Sequence, residues 1–179
     1  TIPYPKAYAG KDTTVCFGKS VQLNATGGIS YQWSPPNFLN NPSISNPVAV
    51  NPTITTQYIV AVRDVAGCPK PAFDTIIVNV TPAVIANAGP ADTTVVLGEP
   101  LYLHGTGGNT YLWSPSTWLN DPNNANPTAL PEDNITYHLL VTSAAGCSST
   151  DSIRVKLYKV PPSFYVPTAF SPNNDNIND

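Results

Sequence analysis

Hydrophobic and polar residues alternate along most of this chain with a period of two, in short runs. Val21 and Leu23 flank Gln22, and Tyr31 and Trp33 continue the alternation after the break at Gly27-Gly28. Tyr58-Ile59-Val60-Ala61-Val62 alternates again, Asp64 to Gly67 turns the chain, and Ile76, Val78 and Val80 resume the pattern. Runs of this kind, bounded by Gly, Pro, Asn or Asp, predict short strands with one buried face. The Pro- and Asn-rich stretch between Pro35 and Pro52 cannot be a central strand, because proline removes a ladder donor.

The pattern is written twice. Asp12-Thr13-Thr14-Val15 returns as Asp92-Thr93-Thr94-Val95, and the same offset of 80 pairs Gly27-Gly28 with Gly107-Gly108. It also pairs Trp33-Ser34-Pro35 with Trp113-Ser114-Pro115, Leu39-Asn40 with Leu119-Asn120, and Asn46-Pro47 with Asn126-Pro127. One deletion later the offset is 79, matching Tyr58 to Tyr137 and Gly67-Cys68 to Gly146-Cys147. Two tandem copies of about 75 residues, each with five to seven short strands, fit an immunoglobulin-like sandwich. Trp33 and Trp113 on the third strand, with Tyr58 and Tyr137 on the penultimate one, are the expected core aromatics. Val80-Thr81-Pro82 and Lys159-Val160-Pro161-Pro162 follow the last strand of each copy, and proline linkers of this type are semi-rigid, which predicts an extended arrangement.

Composition narrows the function. With 8 basic and 11 acidic residues among 179, the net charge is −3. A nucleic-acid binder working through a basic face is excluded, since that mode needs clustered Lys and Arg. Hydrophobic residues reach 41%, too many for disorder, while 20 prolines with many Asn and Thr disfavour helices. No apolar run approaches the ~20 residues of a membrane-spanning helix. The chain opens with neither an initiator nor a targeting segment, which predicts a piece of something longer.

The string AG-x-DTTV from Ala9, then G-x-x-V-x-L-x-A-T-G-G, Y-x-W-S-P, L-N-x-P-x-x-x-N-P and A-G-C resembles PKD-like/Ig-like repeats of large surface proteins of Bacteroidetes-type bacteria. The tail from Tyr165 through Pro172-Asn173-Asn174-Asp175 to Asp179 resembles the opening of a gliding-motility-associated C-terminal sorting domain, type B, of the type IX secretion system. Asn174 and Asn176 stand where that family usually has Gly. The resemblance implies a secreted or cell-surface, non-enzymatic adhesin, stalk or filament segment on the outer-membrane exterior. Its partners would be neighbouring domains of the same long chain, the secretion machinery, and further copies in a homo-oligomer or filament. The expected fold is all-β: two tandem immunoglobulin/PKD-like sandwiches, 7–80 and 86–158, joined by a linker at 81–85. Residues 1–6 would end a preceding linker, 159–163 form another, and 164–179 begin the sorting domain as a short strand and loop. The alternatives are a glycan- or protein-binding module and a spacer attached to an upstream enzyme.

Candidate chemistry is sparse. His104 aligns with Asn24 and His138 with Ile59, so the copies share no histidine, and no catalytic constellation or cofactor site is expected. No helix pattern follows the glycine pairs at 27–28 and 107–108, which makes them turn glycines rather than a phosphate cradle. Cys16 and Cys68 occur together in the first copy, while the second keeps Cys147 but has Val96 in place of Cys16. This suggests a Cys16–Cys68 disulfide and a free thiol at Cys147; the alternative is three buried free cysteines.

Asp-(Ser/Thr)-apolar triplets begin at Asp12, Asp74, Asp92 and Asp151. They match an O-glycosylation acceptor of the same bacterial group and so mark Thr13, Thr75, Thr93 and Ser152; the alternative is an Asp bonding its own backbone two residues on. Asn24-Ala25-Thr26 and Asn134-Ile135-Thr136 match the N-glycosylation sequon, as accidental matches in a bacterial protein. Oxygen-bearing side chains at Asn173, Asp175 and Asp179 make the tail loop a calcium candidate, set against an ordinary polar turn. Phe38 and Trp118 occupy matching places before Leu-Asn, either closing the core or facing out as an interface.

Overall fold

The computed structural model describes residues 6–64 and 70–159. Within them every regular element is a strand. Contacts divide the chain into two compact units, one running to Ile85 and taking in Thr142–Ser149, the other holding Ala86–Val141 and the chain from Thr150.

The first copy supplies β1 (Thr13–Cys16), β2 (Val21–Gln22), β3 (Ser30–Ser34), β4 (Val48–Ala49), β5 (Thr56–Arg63) and β6 (Ala72–Thr81). One sheet has the order β1-β6-β5-β3, and β2 pairs with β4 in a second. In β5 the alternation is complete: Thr56, Tyr58, Val60 and Val62 are buried, while Gln57, Ile59 and Arg63 are exposed. Tyr58, Val60 and Val62 meet Leu23, Trp33, Ile76 and Val78 in one core, with Trp33 1% exposed and Tyr58 fully buried. The two sheets close over this core as an immunoglobulin-like sandwich.

β2 ends at Gln22, one residue short of the predicted alternation. Opposite the next residue, Leu23, lies Pro47, whose carbonyl accepts from Leu23 N at 2.9 Å but which has no N–H to return, so the ladder stops there. The Pro/Asn-rich stretch therefore contributes only the two-residue β4, which pairs with β2 on one side and bridges to Leu39 through Ala49 on the other.

The second copy repeats the plan with β7 (Asp92–Val96), β8 (Leu101–Tyr102), β9 (Thr110–Ser114), β10 (Thr128–Ala129), β11 (Ile135–Thr142) and β12 (Ser148–Tyr158). Its sheets run β7-β12-β11-β9 and β10-β8. Trp113, Tyr137, Leu139, Val141 and Val155 are each at most 1% exposed.

In both copies the first strand pairs parallel with the last. Thr13 to Cys16 face Val78 to Thr81 in β6, and Asp92 to Val96 face Arg154 to Tyr158 in β12. The other pairings recorded among the described strands are antiparallel.

The turn glycines before β3 have a steric basis. Gly27 has φ +109°, and a Cβ built on Gly28 would overlap the Arg63 carbonyl and sit 2.6 Å from Val62 Cγ1. Because the clash is with β5 backbone, Gly28→Ala is expected to destabilise the first unit by about 2–3 kcal/mol. Chemical denaturation checks this; a midpoint equal to the parent would contradict the packing.

Candidate functional site

The cysteines do not pair as the sequence suggested. Cys16 at the end of β1 is bonded to Cys147, 131 residues away, with a Cα–Cα separation of 5.6 Å. Cys16 is therefore not joined to Cys68, and Cys147 is not a free thiol. Comparing the copies directs attention to pairs inside one copy, whereas this bridge joins positions from both. The turn Thr142–Ser149, which carries Cys147, packs with the first unit. Cys68 lies outside the described residues.

Around the bond, Cys147 is 5% exposed and Cys16 half-buried. Thr81 Oγ1 lies 3.0 Å from Cys147 Sγ and 3.3 Å from the Val15 carbonyl, to which it also donates. A cavity of about 350 Å³ opens beside both sulfurs, lined among others by Phe17, Lys19, Val84 and Ser148.

The proline-rich loops are organised by shared side chains. Trp33 Nε1 donates to the Ile44 carbonyl at 2.9 Å, as Trp113 Nε1 does to Asn124 at 3.1 Å. Tyr58 Oη donates to the Asn37 carbonyl at 2.8 Å and Tyr137 Oη to that of Thr117 at 2.9 Å. Asn40 Oδ1 accepts from Asn41 N and Val48 N, both at 2.8 Å, and Asn120 Oδ1 accepts from Asp121 N and Thr128 N at the same distances. The repeated Leu-Asn is thus a loop clasp. Asn40→Ala is expected to cost about 0.5–1.5 kcal/mol by removing two solvent-exposed hydrogen bonds that hold the loop; thermal melting that matches the parent would contradict this.

Burial pushes the Tyr137 hydroxyl up to about 12 from its usual 10, and desolvation raises that of Tyr58 as well, partly offset by the hydrogen bond with Thr56. A raised folded value means a contribution to stability that is complete below pH 10 and lost as pH climbs toward 12. Tyr137→Phe is expected to flatten the fall in second-unit stability across that window. Denaturant titrations at pH 9 and 11.5 check it; parallel losses in parent and variant would contradict it.

Phe38 and Trp118 occupy an unexpected backbone position. Leu39 N closes a turn onto the Pro36 carbonyl and Leu119 N onto that of Ser116. The residue before each closure has φ of 65° and 63°, where Gly or Asn is ordinarily found. Both aromatic side chains are half-buried, and their carbonyls accept from Val50 N and Leu130 N.

The acidic triplets bond across strands rather than to their own backbone. Asp12 Oδ1 accepts from Ile77 N, Asp74 Oδ2 from Ala9 N and Asp151 Oδ2 from Ala88 N, each at 2.8 Å. Asp92 pairs with Arg154 at 3.1 Å on the surface, where such a bridge contributes little. Beside these carboxylates Thr75 is exposed, while Thr13, Thr93 and Ser152 are half-buried. Asn24 is exposed, and the Asn134 side chain accepts from Leu157 N at 2.7 Å. His104 and His138 are exposed. Among the described residues no group of three His, Cys, Asp or Glu side chains is placed to hold a metal. Asn173, Asp175 and Asp179 lie outside the described residues.

No protein-family model and no curated protein matches the chain. Similar solved structures include the insect immune protein hemolin, 14% identical with a TM-score of 0.46 over 88% of this chain and 47% of that one. An I-band fragment of titin is 15% identical at 0.44, over 89% of this chain and 67% of the fragment. The two-domain DIP-gamma Ig1+Ig2 structure is 10% identical at 0.43, over 87% and 98%. The chain spans about half the length of the hemolin chain. At such identities the likeness carries nothing about what the chain binds.

Proposed function

We propose that the chain is a load-bearing, non-enzymatic segment of a secreted or cell-surface adhesin, stalk or filament protein. One observation carries the reading: in each copy the first strand runs parallel to the last. Once the Cys16–Cys147 bond is reduced, tension entering at β1 and leaving at β6, or entering at β7 and leaving at β12, slides the paired strands along each other. The inter-strand hydrogen bonds are then loaded together rather than one after another.

Two further features support it. The side chains shared by the copies whose bonds were described above (Trp33, Tyr58, Asn40 and their counterparts) hold loops onto the sandwiches. A disulfide suits an oxidising compartment outside the cell. Export by a type IX-like route, with the tail as the start of a sorting domain, belongs to the same proposal and rests on the sequence resemblance alone.

The test is accessibility on intact cells of the source organism. Antibody raised against residues 7–158 should label unpermeabilised cells, and external protease should remove the signal. Labelling that requires permeabilisation would overturn the reading.

A second reading, recognition of a glycan or protein through Phe38 and Trp118, is favoured by the left-handed backbone at both aromatics. Strain of this kind costs on the order of 1–3 kcal/mol and gathers at ligand contacts. Under that reading Trp118→Ala abolishes retention of the chain on a glycan array while leaving its fold intact. Unchanged retention, or no retention by the parent, removes the glycan form of this reading.

A further inference from the structure

We infer that the Cys16–Cys147 disulfide is a directed thiol-exchange site: an incoming thiolate attacks Cys16 Sγ, and Cys147 Sγ departs as the thiolate. The geometry makes the two sulfurs unequal. Cys16 is half-buried at the end of β1, while Cys147 is 5% exposed. Both line the cavity of about 350 Å³, which is large enough to admit a small thiol and carries the Lys19 side chain in its wall. That ammonium raises the local concentration of an anionic attacker.

The leaving sulfur has a waiting donor. Thr81 Oγ1 stands 3.0 Å from Cys147 Sγ; a disulfide sulfur carries no proton, so in this contact only the hydroxyl can donate. Its single proton is shared with the Val15 carbonyl at 3.3 Å. Once negative charge grows on Cys147, that sulfur becomes the stronger acceptor, and the hydroxyl turns toward it. Stabilising the leaving thiolate speeds exchange, and attack falls on the sulfur whose partner departs as the better anion.

The step balances with a thiol as co-reactant. The thiolate R–S⁻ forms a new S–S bond to Cys16, and the electron pair of the old bond leaves on Cys147, giving a Cys16–S–S–R mixed disulfide. With a dithiol reductant, the second thiol loses its proton and attacks the reductant-side sulfur of that mixed disulfide. It releases Cys16 as thiolate and departs oxidised, so two electrons pass to the protein and both cysteine sulfurs take up protons from water.

The experiment uses the full chain carrying Cys68→Ser, so that no third thiol reshuffles the products. Oxidised protein is mixed with excess glutathione, quenched with acid and alkylating agent at intervals, and mapped by mass spectrometry. The expected product carries glutathione on Cys16 and the alkyl label on Cys147. Thr81→Val should slow its formation about fivefold, with Thr81→Ser close to the parent. Glutathione appearing on Cys147 in equal or greater amount, or an unchanged rate in Thr81→Val, would overturn the inference. If Thr81→Val does not fold, the site of the adduct in the parent decides alone.

Discussion

Trp33→Ala is expected to lower the stability of the first unit by about 3–5 kcal/mol, a large share of what an ordinary domain has. Trp33 is 1% exposed in a core that includes Leu23, Tyr58, Val60 and Val78, so truncation opens a cavity against β5 and β6, each paired on both sides and unable to collapse into it. The loss has a second part. The indole N–H is the partner of the Ile44 carbonyl, and the truncated side chain leaves that acceptor unmatched beside the core, at about 1–3 kcal/mol. Trp33→Phe keeps much of the volume but not the donor, so it should fall between parent and alanine variant. Trp113→Ala should act alike in the second unit, where the indole is equally buried and bonds Asn124. Guanidinium titrations of the three variants check this. A Trp33→Ala midpoint within error of the parent would remove the indole from the core.

The second large effect belongs to the disulfide. Closing 131 residues between Cys16 and Cys147 restricts the unfolded chain, and the chain-entropy model values a loop of this length at about 5 kcal/mol. Cys16→Ser and Cys147→Ser should therefore lose similar amounts of stability, and reduction of the parent should lose the same. Cys68→Ser should leave the bond in place. Melting curves with and without reductant distinguish these cases. A large loss in Cys68→Ser with none in Cys147→Ser would restore the pairing first read from the sequence.

The sandwiches were legible because their information is local. Period-two alternation in Tyr58 to Val62 needs only neighbouring residues to be read, and the duplication at an offset of 80 supplied a second reading of each strand. The Tyr-x-Trp-Ser-Pro setting likewise singled out Trp33 and Trp113, both 1% exposed. The disulfide was not legible for the opposite reason. Repeat alignment ranks cysteines by copy, and nothing in the residues around Cys147 says that its turn packs with the first unit.

The backbone at Phe38 and Trp118 was hidden differently. Positive φ is signalled by Gly or Asn, and an aromatic at that place reads as part of a core or an interface. The acidic triplets show a third limit. Asp12, Asp74 and Asp151 looked locally bonded, but the N–H groups they hold belong to Ile77, Ala9 and Ala88, partners 63 to 65 positions away. The Leu-Asn repeat was visible as a motif, yet the clasp formed by the Asn40 side chain depends on a loop closure that sequence spacing does not specify.

The load-bearing account is tested most directly by pulling single molecules of the chain from both ends, before and after reduction. Oxidised, the segment between Cys16 and Cys147 is bridged covalently, and only residues outside it can extend. Reduced, those 131 residues should add about 450 Å of contour length. They should do so in two abrupt events, one per copy, as each set of parallel terminal strands gives way in shear. A gain near about 180 Å would place the bridge at Cys16–Cys68. Gradual lengthening at low force after reduction, with no abrupt event, would contradict the account.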